Sequence, residues 1–255
     1  MILHHRFDGP EDAPVLVLGP SLGTGTELWR PQMAALTERF RVLRYDLPGH
    51  GGSPSPERGF TIEDLAGALV DILDARGIRR AAYAGVSLGG AVGTALALRA
   101  PERLGALVLI CTSPRFGGPE GWHERAALVR REGTAPLAET AAGRWFTPGF
   151  DGAEPYVAML RATGPEGYAA CCDALALFDA TARLPEITAP TLVIAGADDP
   201  ATPPEGHADR LADGIPGARL LVIDGAAHLA GAERPGPVTD AIIAHLDQTW
   251  KDPAG

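Results

Sequence analysis

The sequence predicts an α/β fold in which a mostly parallel sheet is flanked by helices and interrupted once by a helical insertion. Short apolar runs alternate with longer stretches of helical spacing, and 45% hydrophobic content within 255 residues supplies one sizeable core. From about residue 113 to residue 184 the alternation stops, and several helical patterns follow one another without a convincing core strand. We therefore expect a core formed by residues 1–112 and 185–255, with residues 113–184 as a helical lid; a second small domain is the alternative for this segment.

The individual elements follow from apolar runs and their spacing. Ile2–Phe7 is predicted to be an edge strand. The predicted core strands are Val15–Leu18, Val42–Tyr45, Ala81–Gly85, Leu107–Cys111, Thr191–Ala195 and Arg219–Ile223. The predicted core helices are Ile62–Arg76, with Thr61 and Asp64 suited to its N-terminal cap, Leu88–Arg99 and Val238–Trp250. Helical spacing in the lid covers Gly121–Glu132, Ala135–Arg144, Pro155–Thr163 and Pro165–Asp179.

Charge and composition exclude several classes of protein. The chain has 22 basic and 32 acidic side chains and a formal net charge of −10, which disfavours binding to a phosphate backbone. Lys251 is the only lysine and lies close to the C-terminus. Enzymes that need an internal lysine for a Schiff base or for nucleotide phosphates are therefore excluded. Gly19, Gly23 and Gly25 form a glycine-rich loop that suggests phosphate binding, but without a lysine it is not a P-loop.

Cysteine usage and the absence of targeting patterns indicate a reducing compartment. Cys111, Cys171 and Cys172 are an odd number and make a poor disulfide framework, and no Cys or His spacing indicates zinc. Residues 1–11 lack the apolar core of a signal peptide, and no run of 18 apolar residues occurs. We expect a cytoplasmic protein that binds no membrane, metal or organic cofactor.

One motif indicates nucleophilic catalysis. Gly85–Gly89 reads G-x-S-x-G, directly after a predicted strand and directly before a predicted helix. Glycines permit a sharp turn that exposes the Ser87 hydroxyl, and the free N–H groups at the start of the helix can stabilise an oxyanion. Ser87 is therefore the candidate nucleophile.

A serine hydroxyl needs a base and an orienting carboxylate, and two later strand-end loops supply both. Asp199 and Asp198 compete as the acid; Gly196 before Asp199 and Pro203 after it match the usual acid loop and favour Asp199. His228 is favoured as the base because it alone follows the final strand. The other histidines are His4, His5, His50, His123, His207 and His245.

Two further loops follow predicted strands. The loop Gly19–Thr24 is the expected source of a second oxyanion donor, so the backbone N–H groups of Leu22 and Leu88 are the candidate oxyanion hole. The loop Tyr45–Ser53 is predicted to make a tight, buried turn beside the nucleophile. Asp46 and His50 within it are a less favoured second acid–base pair.

Together these loops resemble the α/β-hydrolase superfamily across nearly the whole chain, and within it the 3-oxoadipate enol-lactonase family. The specific matches are Ser21-Leu22-Gly23-Thr24 followed by Trp29, Arg144-Trp145-Phe146-Thr147-Pro148, Gly167-Tyr168-Ala169-Ala170-Cys171-Cys172 and Ala195–Pro203. The resemblance implies an α/β-hydrolase fold and hydrolysis of the ring ester of 3-oxoadipate enol-lactone to 3-oxoadipate in the catabolism of aromatic compounds.

An anionic lactone requires a local cation in an acidic protein, and the lid contains Arg130, Arg131, Arg144 and Arg161. Arg144 and its neighbour Trp145 are the candidate substrate-binding residues, since a guanidinium can bind a carboxylate through two hydrogen bonds. The alternatives within this fold are a carboxylesterase, a perhydrolase-type haloperoxidase and a C–C hydrolase. A low-turnover ligand-binding receptor is the alternative from another class.

Overall fold

A computed structural model describes residues 1–250 of the chain. Within these residues the strands are β1 (His5–Asp8), β2 (Val15–Gly19), β3 (Arg41–Tyr45), β4 (Ala81–Val86), β5 (Leu104–Ile110), β6 (Thr191–Gly196) and β7 (Arg219–Ile223). They form one seven-stranded sheet in the order β1-β3-β2-β4-β5-β6-β7. β1 is antiparallel to β3, and every other neighbouring pair is parallel. The predicted mostly parallel sheet is confirmed.

Helices cover both faces of this sheet. The helices outside the lid are α1 (Arg30–Thr37), α2 (Ile62–Ala75), α3 (Leu88–Arg99), α8 (Asp209–Gly214), α9 (Ala230–Glu233) and α10 (Pro235–Thr249). The predicted cap of α2 is present: Asp64 N–H donates to the Thr61 hydroxyl at 3.2 Å, and Thr61 N–H donates to the Asp64 carboxylate at 2.9 Å. Every residue of β2, β4, β5 and β6 is buried, as expected for strands covered on both faces.

Four helices occupy the predicted lid between β5 and β6. They are α4 (Pro119–Glu132), α5 (Ala135–Trp145), α6 (Glu154–Ala162) and α7 (Pro165–Leu177). α4 and α7 pack together, and Arg130 of α4 donates to Glu166 and Asp173 of α7 at 2.9 and 2.8 Å. An isolated antiparallel bridge between Arg115 and Asp179 joins the two ends of this segment. Residues near the beginning and the end of the insertion therefore lie side by side.

Two predictions for the sheet need correction. Arg219–Ile223 is not a core strand: β7 lies at the sheet edge, and Leu220, Leu221 and Val222 are exposed. A continuous apolar run cannot distinguish an edge strand from a central one, because the pattern carries no information on neighbours. At the other edge, β1 begins at His5 rather than Ile2, and Ile2 is 78% exposed.

The end of the chain is described up to Trp250. The last five positions of the predicted core range, which include Lys251, lie outside the described residues. Within residues 1–250, no helix has the combined length and apolar character that crossing a membrane requires.

Candidate active site

Ser87 occupies a strained turn between β4 and α3. Its φ is 54°, in the left-handed region that non-glycine residues seldom adopt, and the conformation is held by hydrogen bonds on both sides of the peptide. Ser87 N–H donates to the Ile110 carbonyl at 2.9 Å, and the Thr112 hydroxyl donates to the Ser87 carbonyl at 2.7 Å. The turn also requires glycine at position 89, since a Cβ there would overlap the Gly19 backbone. Backbone strain of this kind occurs preferentially at functional sites.

The candidate oxyanion loop packs against the start of α3. Gly19 pairs with Gly85 in neighbouring parallel strands, so the loop after β2 and the turn after β4 leave the sheet side by side. Leu88 is the first residue of α3, and its N–H therefore has no acceptor within the helix. The Leu22 N–H has no hydrogen-bond acceptor among residues 1–250. Both candidate donors are thus available to a bound oxyanion.

His50 fixes the loop that carries Leu22. The Gly23 N–H donates to His50 Nε2 at 3.1 Å, so the ring proton of the neutral imidazole must lie on Nδ1. The Nδ1–H group donates to the Pro48 carbonyl at 2.9 Å. The ring also stacks on Tyr168 of α7, with centroids 6.3 Å apart. Burial lowers the pKa of His50 to about 4, so the imidazole is neutral near pH 7. Asp46 binds His4 instead, at 2.8 Å, so the alternative Asp46–His50 pair is not formed.

A neutral buried His50 makes stability depend on pH. The unfolded chain binds a proton at this site near the ordinary pKa of about 6.5, whereas the folded protein binds it only near pH 4. The free energy of unfolding should therefore fall as pH is lowered through this window, with His50 contributing about 2 kcal/mol between pH 7 and pH 5. Urea unfolding at both pH values should show a shallower pH dependence for His50→Gln. Equal slopes in wild type and His50→Gln would contradict this assignment.

The acid and the base meet beside the ends of β6 and β7. His228 Nδ1 lies 2.8 Å from Asp199 Oδ2. The Asp199 carboxylate also accepts the Ala201 and Thr202 N–H groups and the Thr202 hydroxyl, at 2.7 to 3.0 Å. Burial alone would raise the pKa of Asp199, but His228 and the Thr202 hydrogen bonds outweigh it and hold that pKa below its ordinary value. An ionised Asp199 can therefore orient the imidazole and stabilise it as a cation.

The competing residues lie elsewhere. Asp198 is exposed and donates its N–H to the Ala226 carbonyl at 2.9 Å, so only its backbone supports the loop. The remaining histidines contact other partners: His5 the Leu3 carbonyl, His123 Asp173, His207 Ser113, and His245 the Pro190 carbonyl. Asp199 and His228 are the pair that the fold brings together.

A cavity of about 80 Å³ holds Ser87 and His228 in its wall. Ser21, Leu22 and Thr202 line it from the core, and Trp122, Arg125, Arg144, Trp145 and Tyr168 line it from the lid. A larger cavity of about 580 Å³ lies around residues 54–60 and α2 and includes none of these side chains. The smaller cavity is the candidate substrate site because it contains the nucleophile and the base.

Two arginines project towards this cavity, and only Arg144 was expected. Arg125 of α4 also lines it, with its guanidinium 4.9 Å from the centre of the Trp122 ring. Partial burial and the positive charge of Arg125 lower the pKa of Arg144. Among residues 1–250, neither guanidinium has a carboxylate within 4.0 Å.

The other lid arginines are paired with carboxylates outside the cavity. Arg130 binds Glu166 and Asp173, Arg131 binds Glu132, and Arg161 binds Glu154. Of the four lid arginines that the sequence offered as a local cation, these three do not line the cavity. Sequence reasoning missed Arg125 because position on α4 alone does not reveal which face of the helix meets the core. The spacing of Trp122 and Arg125, three residues apart on one helix face, is a signal that could have indicated it.

Metal-binding clusters and accessible thiols would be two further sources of chemistry in the described residues. No cluster of three or more His, Cys, Asp or Glu side chains within residues 1–250 could hold a metal ion. Cys171 and Cys172 are buried in α7 as free thiols, and burial raises the pKa of both.

Comparison with known proteins agrees with this geometry. A family model described as "alpha/beta hydrolase fold" matches residues 14–141 and 151–235. The chain is 37% identical to 3-oxoadipate enol-lactonase 2 of Acinetobacter baylyi, covering 95% of this chain and 92% of that protein. It is 34% identical to a Stutzerimonas stutzeri protein named "Putative carbamate hydrolase RutD", covering 96% of this chain and 95% of that protein. The crystal structure of the enol-lactonase from Burkholderia xenovorans LB400 superimposes with a TM-score of 0.91 at 41% identity, covering 96% of each chain.

A parallel sheet with a serine at the strand-to-helix turn and an Asp–His pair at later strand ends defines an α/β hydrolase. The chain belongs to the α/β-hydrolase family, and the resemblance to the 3-oxoadipate enol-lactonases found in its sequence is confirmed.

Proposed function

We propose that this hydrolase opens the ring ester of 3-oxoadipate enol-lactone, with Ser87, His228 and Asp199 as the catalytic triad. The observation that carries the proposal is the pair of guanidiniums, Arg125 and Arg144, that line the cavity without a carboxylate partner. Uncompensated positive charge beside a nucleophile favours an ester that carries a carboxylate. Similarity to two enol-lactonases gives independent support for that substrate.

The first half of the reaction forms an acyl-enzyme. His228 accepts the proton of the Ser87 hydroxyl as Ser87 Oγ attacks the lactone carbonyl, and Asp199 stabilises the resulting imidazolium. The N–H groups of Leu22 and Leu88 bind the oxyanion of the tetrahedral intermediate. Collapse of that intermediate breaks the ring C–O bond and releases an enolate, which is a better leaving group than a simple alkoxide. His228 returns the proton to the leaving oxygen, and the enol becomes a ketone.

The second half releases the product. His228 removes a proton from water, which attacks the acyl carbon attached to Ser87 Oγ. The oxyanion is bound by the same two N–H groups, and the C–O bond to Ser87 breaks as His228 protonates Ser87. The product, 3-oxoadipate, carries a second carboxylate where the ring ester was, and Ser87 is regenerated. Hydrolysis therefore consumes one water per turnover.

The test compares an anionic and a neutral ester in arginine variants. Arg125→Gln and Arg144→Gln should each raise KM for the enol-lactone about 10- to 100-fold, because a hydrogen bond to a charged group contributes about 1.5–3 kcal/mol. The same variants should leave kcat/KM for neutral p-nitrophenyl acetate within about threefold of wild type, since that ester has no carboxylate. Steady-state kinetics on both substrates measure the difference. Arg131→Gln, which removes a lid arginine already paired with Glu132, is the control.

Four results would contradict the proposal. Wild-type activity on p-nitrophenyl esters without activity on the lactone would indicate a carboxylesterase. Faster turnover of a ring-cleavage dienoate would indicate a C–C hydrolase, and faster turnover of a small carbamate would favour the activity named for the second relative. If Arg125→Gln and Arg144→Gln raise KM for the lactone no more than Arg131→Gln does, neither Arg125 nor Arg144 contacts the substrate carboxylate.

A further inference from the structure

Glu233 is a buried acidic side chain that the proposed mechanism does not use. It ends α9, five residues after His228, and is 7% exposed. Among residues 1–250 it has no arginine, lysine or histidine within 4.0 Å, so no salt bridge compensates its burial. A buried carboxylate needs strong donors in place of water. The identity of those donors therefore indicates what Glu233 holds in place.

Its donors come from two separate segments. Glu233 Oε2 accepts the N–H of Ala227, the residue before His228, at 2.8 Å. Glu233 Oε1 accepts the N–H of Thr147 at 3.0 Å and also the Thr147 hydroxyl. Thr147 belongs to the lid, two residues after Trp145. One carboxylate thus connects the lid to the catalytic loop.

A second hydrogen bond joins the same two segments. Leu229, the residue after His228, donates its N–H to the Trp145 carbonyl at 3.0 Å. The lid segment Trp145–Thr147 therefore restrains the residues on both sides of His228, directly at one and through Glu233 at the other. Asp199 restrains the imidazole ring itself from the direction of β6. His228 is held from three sides, and two of the restraints depend on the lid.

Only a carboxylate fits this arrangement. Both oxygens must accept, Oε2 from Ala227 and Oε1 from Thr147, and three donor hydrogens converge on them. A glutamine offers one accepting oxygen and places N–H groups where the other oxygen lies, opposite a backbone donor. We infer that Glu233 is a positioning residue that couples the lid segment Trp145–Thr147 to His228. This inference rests on the proposed role of His228 as the catalytic base, and it does not depend on the identity of the ester.

The coupling predicts a defect in chemistry rather than in substrate binding. Glu233→Gln should lower kcat about 10- to 100-fold on p-nitrophenyl acetate with KM within about threefold of wild type, since His228 would lose its alignment while the cavity keeps its lining. Thr147→Val removes only the hydroxyl donor and should lower kcat about three- to tenfold. Combining the two changes should give less than the product of the single effects, because both remove the same restraint.

A spectroscopic readout separates positioning from a general loss of stability. The Nδ1 proton of His228, shared with Asp199, gives a downfield ¹H NMR resonance that should broaden or vanish in Glu233→Gln although the protein remains folded. Glu154→Gln, which removes a lid carboxylate paired with Arg161 at the surface, is the control and should change neither kcat nor this resonance. If Glu233→Gln does not fold, Thr147→Val supplies the same readouts.

Two outcomes would overturn the inference. Wild-type kcat and an unchanged resonance in Glu233→Gln would show that Glu233 does not position His228. Additive effects of the Glu233 and Thr147 changes would show that the lid contact and the catalytic loop are independent. The assay uses a neutral ester, so failure of the lactone proposal alone, with ester hydrolysis retained, leaves this test intact. Loss of Ser87-dependent hydrolysis of every ester would instead overturn the proposed function.

Discussion

Replacing Ser87 with alanine is expected to lower kcat by about 10⁶-fold on every substrate that the wild-type protein hydrolyses. The acyl-enzyme cannot form without Oγ, and His228 and Asp199 alone do not supply a nucleophile of comparable reactivity. The residual rate over water would come from binding and from the Leu22 and Leu88 N–H groups. Steady-state kinetics give the loss, and mass spectrometry after reaction with phenylmethylsulfonyl fluoride should show one adduct in wild type and none in the variant.

The matched control is Ser113→Ala. Ser113 is buried and interacts with His207 at 2.9 Å, but it does not line the cavity. That variant should retain most activity and still form the adduct. Comparable losses in the two variants would mean that Ser87 is not the nucleophile. Wild-type protein that binds the lactone and shows no Ser87-dependent turnover of any ester would favour a ligand-binding receptor.

Replacing Asp199 with asparagine should lower kcat by about 10⁴-fold while leaving the fold intact. The carboxylate accepts from His228 Nδ1, and an amide in its place would favour the tautomer in which Nε2 carries the proton and cannot act as a base. It would also remove the negative charge that stabilises the imidazolium. Kinetics on p-nitrophenyl acetate and thermal unfolding would separate the catalytic effect from any loss of stability.

Asp198→Asn gives the comparison within the same loop. Asp198 is exposed, and its structural contact is made by its backbone N–H, which the substitution retains. Its kcat should remain within about twofold of wild type, as is usual for a surface change that breaks no contact. A larger loss of kcat in Asp198→Asn than in Asp199→Asn would show that Asp198, not Asp199, is the acid of the triad.

The proximity of the site residues was predictable because it depends on sheet topology. Ser87, Asp199 and His228 each follow a strand, and parallel strands bring their carboxyl ends to one edge, so position along the chain sufficed. The preference for Asp199 over Asp198 also agrees with the structure, since spacing from Gly196 and Pro203 reflects a local turn. The first feature follows from the order of the strands in the sheet, and the second follows from short-range sequence.

Features that depend on tertiary neighbours were not predictable. Helix α1 was missed because Arg30–Thr37 buries only Gln32 and Leu36, which leaves no apolar stripe to recognise. Arg125 and Arg130 lie five residues apart on α4, yet one lines the cavity and the other binds α7. Their roles follow from how α4 packs, and the spacing of Trp122 and Arg125 is the one local signal of that packing. The contact of Glu233 with Thr147 joins residues 86 positions apart and left no local pattern.

The insertion of α4–α7 between β5 and β6 has a consequence for how this protein can diversify. The residues proposed to recognise the substrate, Arg125 and Arg144, lie in a continuous stretch that contributes no strand to the sheet. Substitutions in this stretch can change which ester is bound while the residues around Ser87 and Asp199 stay the same. Substrate specificity can therefore evolve without changes to the catalytic residues. The exception is the short segment Trp145–Thr147, because a substitution there would also change the position of His228.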